Sequence, residues 1–471
     1  MNSPAPASFE GASATIESVP RRLPQTLARR HVTLISLGGV IGAGLFVGSS
    51  VAIAAAGPAI VLSYLLAGTL LLLIMRMLGE MALARPDVHA FTDFVRAGLG
   101  DGAGFVVGWT YWYEWTVVVA IESIAGATLL QAWIPLPVWT LALIVVAVMW
   151  AINVLSTRTF AEFEFWFASI KVAAIVAFIA VVGAFVVRSL GRGAVPGGLQ
   201  AFRSGLIPYG FGSVIAGIAT VFFSLTGAEM ATIAAAESKE TARSMARMAS
   251  RLMARIALFY VLSVLLIVAV VPWRNIVPGI SPFGIALQHL GFGWAAIATN
   301  LIVLTAVLSC LNSALYVCSR TLFTLAAHHD AAQWLVGLNA RRTPARAVSL
   351  SAAAGSVAIG LAAVSAQHAF AFLVNASGAI ILAVYLSVCL AYLKMRRSSP
   401  QGAPWRLGPF PAIVYAAVAG VLLVLAEMAA SKEMASQLYA SIVPVAAACA
   451  AYGVLRYRRR PPRSIGARGP V

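Results

Sequence analysis

Gly38–Gly48, GGVIGAGLFVG, lies in the middle of an apolar run, Val32–Ala56, and places glycine at 38, 39, 42, 44 and 48. Glycine weakens a helix by about 1 kcal/mol per residue relative to alanine. It also lets backbone approach a ligand closely. Backbone broken inside a membrane must line a cavity or pack within protein, because lipid offers its N–H and C=O groups no partner. A second stretch, Gly217–Glu229 (GIATVFFSLTGAE), repeats the pattern five apolar spans later and adds Ser224, Thr226 and Glu229. Two Gly-interrupted spans at matching positions of two halves point to the binding site of a secondary transporter. The plainer alternative is that small residues only let helices pack closely.

Composition agrees with a membrane protein. The 471 residues are 61% hydrophobic and 10% charged, with mean hydropathy +0.89. At about 20 apolar residues per span, the chain is expected to cross a bilayer twelve times. The expected spans are 33–55, 59–83, 103–130, 137–155, 163–187, 209–236, 252–272, 288–325, 347–365, 369–394, 411–430 and 437–456. The third, sixth and eighth exceed the required length, which implies tilt or extension beyond the bilayer. Residues 1–31 are polar and rich in Pro, Ser and Ala, the composition of a disordered tail. They lack the pattern of a cleaved signal peptide.

The net charge of +17 is distributed by loop, not by patch. Arg21, Arg22, Arg29 and Arg30 precede the first span, and Lys239, Arg243, Arg247 and Arg251 follow the sixth. Arg341, Arg342 and Arg346 follow the eighth, Lys394, Arg396 and Arg397 the tenth, and Arg456–Arg460 the last. The alternate loops carry only Arg188, Arg192, Arg203, Arg274 and Lys432. This positive-inside pattern places both termini in the cytoplasm and requires an even number of spans. The basic charge thus reports topology, and nucleic acid is set aside as a partner. Cys310, Cys318, Cys389 and Cys449 fall in apolar spans without C-x-x-C spacing, so no disulfide is expected. His328–His329 are adjacent, point different ways on a helix, and do not read as a metal pair. The absence of a P-loop speaks against an ATP-driven pump. No motif assembles a catalytic triad, so an enzyme is not expected.

Ionisable residues inside spans are costly and usually functional. Most acids, including Glu80, Glu162, Glu164, Glu237 and Glu427, read as lying near span ends. There they reach the interface or cap helices; Glu80 and Glu237 could pair with loop arginines such as Arg85 or Arg243. Four charges lie deep: Glu114 and Glu122 in span three, Lys171 in span five and Glu229 at the break in span six. Only four of the thirty-three basic residues are lysines. Lysine changes protonation readily when desolvated and arginine does not. Lys171 is therefore a candidate proton carrier; the alternative is a permanent pair with Glu114 or Glu229. Tyr113 and Trp115 could wall a pocket, and Phe222 and Phe223 could cover it.

These stretches carry a resemblance. HVTLISLGGVIGAGLFVGSSVAIAAAGPA (31–59), IMRMLGEMA (74–82), AEFEFWFASIKV (161–172), GAEMATIAAAES (227–238) and LSCLNSALYVCSR (308–320) resemble amino acid permeases of the amino acid–polyamine–organocation superfamily, and within it the bacterial GABA (4-aminobutyrate) permeases. Span three, GWTYWYEW, is closer to proline- or lysine-type permeases. The resemblance implies an all-α integral membrane protein with twelve transmembrane helices. Its fold would be the leucine-transporter-like 5+5 inverted repeat plus two peripheral helices. The implied domains are a tail 1–31, a core 32–394 with repeats 32–190 and 209–394, the peripheral helices 395–456 and a basic tail 457–471.

The resemblance also implies a site. The substrate carboxylate would meet free N–H groups of Gly42, Ala43 and Gly44 at the positive end of a half-helix. The amino group would meet carbonyls around Phe223, Ser224, Thr226 and Gly227, and extend towards Glu229 or Glu114, with Tyr113 nearby. Lys171 would stand where relatives hold a sodium ion, and with Glu229 would couple protons to uptake by alternating access in the cell inner membrane. The implied partners are an amino acid, protons and membrane lipid, with no cofactor, metal or obligate protein partner. An exchanger without proton coupling, a permease for proline, basic or aromatic amino acids, and a non-transporting amino acid sensor are the alternatives. The lack of a recognisable signalling domain argues against the last.

Overall fold

The structure is a computed structural model that describes residues 39–85, 88, 90–155, 157–201, 205–230, 242–363, 365–398, 407–432 and 434–458. The expected tail 1–31, Glu237 and the terminal arginines from Arg459 onward lie outside the described residues. The described elements are all helical. Eight stretches are long and apolar enough to cross a membrane, and three shorter apolar helices join them. The first stretch, Gly44–Ala84, is bent into two at Gly57, so the described residues supply twelve spans.

Span one, described from Gly39, is helical at Gly39–Val40, bends at Ile41–Gly42, forms a π-turn over Gly44–Gly48 and continues as α1, Ser49–Ala56. Gly57 ends it with φ +63°, where a side chain would be strained, and Pro58 starts the turn into α2, Ile60–Ala84. A short helix α3, Phe91–Leu99, leads through Gly100 (φ +101°) into α4, Asp101–Leu130. Then come α5, Val138–Leu155; α6, Thr157–Gly191; the short α7, Gly197–Ala201; and α8, Gly210–Leu225. The second half continues with α9, Ala242–Val270; the short α10, Pro282–His289; α11, Ala295–Ala327; α12, Ala345–Ile359; and α13, Ala366–Arg397. The last two are α14, Ala412–Ala430, and α15, Ala435–Arg458.

One boundary differs from the sequence expectation. The eighth span starts at Ala295, not 288, because Gly291 (φ +88°) separates it from the re-entrant-length helix α10. In the sixth span the helix stops at Leu225, where Thr226 turns extended (ψ 143°) and Gly227 takes φ +105°, and Met230 is helical again; residues 231–236 of that expected span lie outside the described residues. The expected break is therefore a true end of helix, and it falls three residues before Glu229 closes the next turn.

Burial sorts the helices. The apolar window of α4 is 78% buried, against 28% in α14 and 11% in α15, so α4 is the axis and the last pair lies on the outside. α4 packs against α3, α5, α11, α12, α13 and α15. This explains how it carries two acids: both Glu114 and Glu122 are shielded from lipid, at 0% and 1% exposure.

One end of the bundle is clamped by charges. Asp93 on α3 meets His328 after α11 at 3.0 Å, and Arg96 pairs with Asp330 and, at 3.2 Å, with Asp101. Glu80 accepts a 2.7 Å hydrogen bond from the Tyr392 hydroxyl, which itself accepts from Arg396; the sequence suggests Arg85 or Arg243 as its partner. The hydrogen bond that the imidazole donates to Asp93 raises the pKa of His328 above its ordinary 6.5. The contact is thus complete below pH 6.5 and is lost as pH rises through the raised folded value. Amide exchange across α3 is expected to quicken as pH rises above 6.5 through that raised value, beyond its intrinsic base dependence. His328→Gln is expected to remove that extra dependence, as hydrogen-exchange mass spectrometry would report.

Candidate substrate and coupling site

The bend at Ile41–Gly42 frees three carbonyls, and each is met by a side chain from another helix. Gly39 O accepts from the Cys310 thiol at 3.5 Å, Val40 O from the Tyr260 hydroxyl at 2.9 Å, and Ile41 O from Lys171 Nζ at 2.7 Å. Buried backbone groups require such partners. On the other side of the bend the Ala43 N–H points at Glu122, 3.0 Å from each carboxylate oxygen. The two half-helix ends are thus matched in kind: donors, the Lys171 amine among them, on the carbonyls, and a carboxyl group on the N–H.

Glu122 therefore occupies the N–H that the sequence assigns to the substrate carboxylate. Gly42 is packed beneath it, where an added Cβ would stand 2.5 Å from Glu122 Oε1 and 2.7 Å from Cys310 Sγ. Gly44 touches span six: its Cβ would fall 2.6 Å from Ser224 Cα, and its carbonyl accepts from the Ser224 hydroxyl at 2.8 Å. Gly227 faces Gly39, with a Cβ position 2.7 Å from its carbonyl oxygen. So the two broken segments are in direct backbone contact. For Gly217, in contrast, the packing alternative holds. It admits Ser63, whose hydroxyl bonds to Val214 O at 2.7 Å.

Between the breaks lies a cavity of about 10 Å³, lined by Gly39, Gly44, Trp115, Glu122, Phe223 and Thr226 among others. That is room for about one water molecule. An amino acid fits only if the broken segments and α4 move apart. Of the residues expected at the site, Gly44, Phe223 and Thr226 line this cavity, while Ala43 and Ser224 are tied to its lining through Glu122 and the Gly44 carbonyl.

The remaining candidates stand apart from it. Glu229 is fully buried and accepts hydrogen bonds from Tyr111 at 2.9 Å and Tyr385 at 2.6 Å. Glu114 is held by the Ser377 hydroxyl on α13. Tyr113 is 38% exposed on the outer side of α4. Lys171, at 0% exposure, bonds to Ser309 at 2.9 Å and lies 4.0 Å from Glu164. The carboxylate beside the lysine is therefore one that the sequence places near a span end. Glu122 and Glu164 are the two site acids missed as such. For Glu164 a signal existed, since residues seven apart share a helix face.

A family model described as amino acid permease matches residues 31–446. The chain belongs to the amino acid permease family. The permease is 40% identical over 443 residues to the probable GABA permease of Pseudomonas aeruginosa, covering 92% of this chain and 93% of that one. It is 39% identical to the gamma-aminobutyric acid permease of Bacillus subtilis, covering 93% and 94%. Among solved structures it resembles the Eremococcus coleocola manganese transporter in complex with an aromatic bis-isothiourea substituted compound. The TM-score is 0.56 at 13% identity, over 94% of this permease and 99% of that chain. At that identity the likeness speaks to the fold, the leucine-transporter-like arrangement of helices, and not to the cargo.

Proposed function

We propose that this permease imports 4-aminobutyrate across the cell inner membrane together with protons, by alternating access. The observation that carries the substrate is the naming of two relatives as GABA permeases at 39–40% identity over more than nine-tenths of both chains. The chemistry of the site supports it. A substrate carboxylate competes with Glu122 for the Ala43 N–H at the half-helix end. The ammonium of 4-aminobutyrate lies two bonds further from its carboxylate than an α-amino group does. In this reading it extends past Phe223 and Thr226, which line the cavity, towards Glu229 as the first acid and Glu114 as the second.

The proton enters through Lys171. Its ammonium holds the Ile41 carbonyl at the hinge of span one. When the amine is neutral that hold weakens, and the segment is freed to move. Uptake of labelled 4-aminobutyrate, proline, lysine and phenylalanine into proteoliposomes, with and without an inside-alkaline pH gradient, tests this. Preferential, gradient-driven accumulation of 4-aminobutyrate is expected; preference for another of the four would replace the substrate.

The orientation follows from the arginines at Arg396, Arg397 and Arg456–Arg460. Both termini face the cytoplasm in this reading. Alkaline phosphatase fused after Val471 is expected to be inactive, and a strong signal would reverse the topology.

A further inference from the structure

Glu164 lies two turns from Lys171 on the same face of α6, and helical side chains lean towards the N-terminus. Lys171 therefore reaches back along the helix to it. The Ser309 hydroxyl sits between the two: it accepts from Lys171 Nζ at 2.9 Å and donates to Glu164 Oε1 at 2.5 Å. The second oxygen, Oε2, is buried without a hydrogen-bond partner among the described residues. Asn312 Nδ2 and Ser313 Oγ, also short of full hydrogen-bond geometry, stand beside that carboxylate as hydrogen-bonding neighbours. Asn153 on α5 continues the polar track, donating at 2.7 Å to Asn312 Oδ1. Buried polar atoms without ideal partners are uncommon. A carboxylate oxygen with two such groups beside it marks a place that suits entering water.

We propose that Glu164 is the proton acceptor of Lys171, with Ser309 as the bridge and Asn312, Ser313 and Asn153 as the polar exit towards the cytoplasmic ends of α5 and α6. In the step, an N–H of the Lys171 ammonium passes its proton to Ser309 Oγ. The hydroxyl's own proton passes to Glu164 Oε1. The products are a neutral amine, an intact serine and a neutral carboxylic acid. Water reaching Glu164 from the cytoplasm then takes that proton and restores the carboxylate. Glu122 on α4 and Cys310 on α11 are the other titratable groups that act on Lys171. Glu122 is bound to the Ala43 N–H on the far side of the hinge, so the acceptor on the route to the cytoplasm is Glu164. The inference rests on the reading of Lys171 as proton carrier.

The test measures two rates in the same proteoliposomes: proton flux driven by 4-aminobutyrate, and exchange of labelled for unlabelled 4-aminobutyrate. In Glu164→Gln the first is expected to fall about 100-fold, the range of a lost proton-transfer group. Exchange is expected to fall much less, so the ratio of the two collapses. Glu164→Asp, which keeps a titratable acid, is expected to recover part of the proton flux. Ser309→Ala, which keeps both charges, is expected to lower the flux ratio as well. A purely structural Glu164 would lower both rates together in Glu164→Gln and Ser309→Ala alike, and that result overturns the relay. So does a wild-type flux ratio in Glu164→Gln. Wild-type protein that exchanges 4-aminobutyrate without moving protons overturns the coupling reading itself, and the relay with it.

Discussion

Lys171→Arg is expected to bind 4-aminobutyrate and yet to lose its accumulation under a pH gradient, by about 100-fold or more. The side chain is fully buried and its Nζ donates to Ile41 O and Ser309. A carrier must favour one conformation when protonated and another when neutral, since a ligand shifts an equilibrium only by its differential affinity for the two states. Arginine does not shed its proton in any accessible range. It would hold the Ile41 carbonyl in both halves of the cycle and remove the difference that drives transport. Lys171→Gln removes the charge altogether and is also expected to fail at accumulation while retaining measurable binding. A lysine that served only as the permanent partner of Glu164 predicts the reverse order. There arginine would preserve the 4.0 Å pair and its uptake, and glutamine would not. Gradient-driven uptake by Lys171→Arg near the wild-type level would therefore remove the carrier role. Measuring Kd for 4-aminobutyrate beside uptake separates a coupling defect from a misfolded site.

The break in span one is legible because glycine crowded into an apolar run costs helix stability and suits only backbone that bends or packs closely. Lys171 is legible as a rare lysine at depth. Glu164 is not. Counted from the expected span start at 163 it lies at the very end, whereas the helix begins at Thr157, so the acid lies more than a turn inside. Nor can the sequence assign Glu114 and Glu122. They are eight residues apart, about 80° around the helix at 3.6 residues per turn. Which of them faces the hinge depends on how α4 is rotated within the bundle. That rotation follows from contacts with six other helices, four of which, α11, α12, α13 and α15, are distant in sequence. Tyr260, Tyr111 and Tyr385 carry no signal either. An aromatic residue in an apolar span looks like packing until its hydroxyl is seen to end on Val40 O or on Glu229.

Gly42→Val is expected to abolish 4-aminobutyrate binding in a protein that still inserts and folds. The Cβ of any side chain at 42 would stand 2.5 Å from Glu122 Oε1 and 2.7 Å from the Cβ and Sγ of Cys310. Contacts that short do not survive, so either the hinge or Glu122 must shift. The overpacking costs about 1–3 kcal/mol, a small part of the stability of a twelve-span bundle but enough to displace a hydrogen bond. The bond at stake is that of the Ala43 N–H, which Glu122 holds at 3.0 Å and which the substrate carboxylate needs. Valine adds a branched Cβ that stiffens the backbone at the bend. Gly42→Ala places the same Cβ without the branches and is expected to weaken binding about tenfold, roughly 1.4 kcal/mol. The readout is the rise in melting temperature on adding 4-aminobutyrate, which any ligand of the folded state produces and which grows with the logarithm of one plus the ratio of ligand concentration to Kd. Wild-type protein should show the rise, Gly42→Ala should need more ligand for it, and Gly42→Val should show none. A wild-type response from Gly42→Val would mean that the substrate carboxylate binds elsewhere than the hinge of span one.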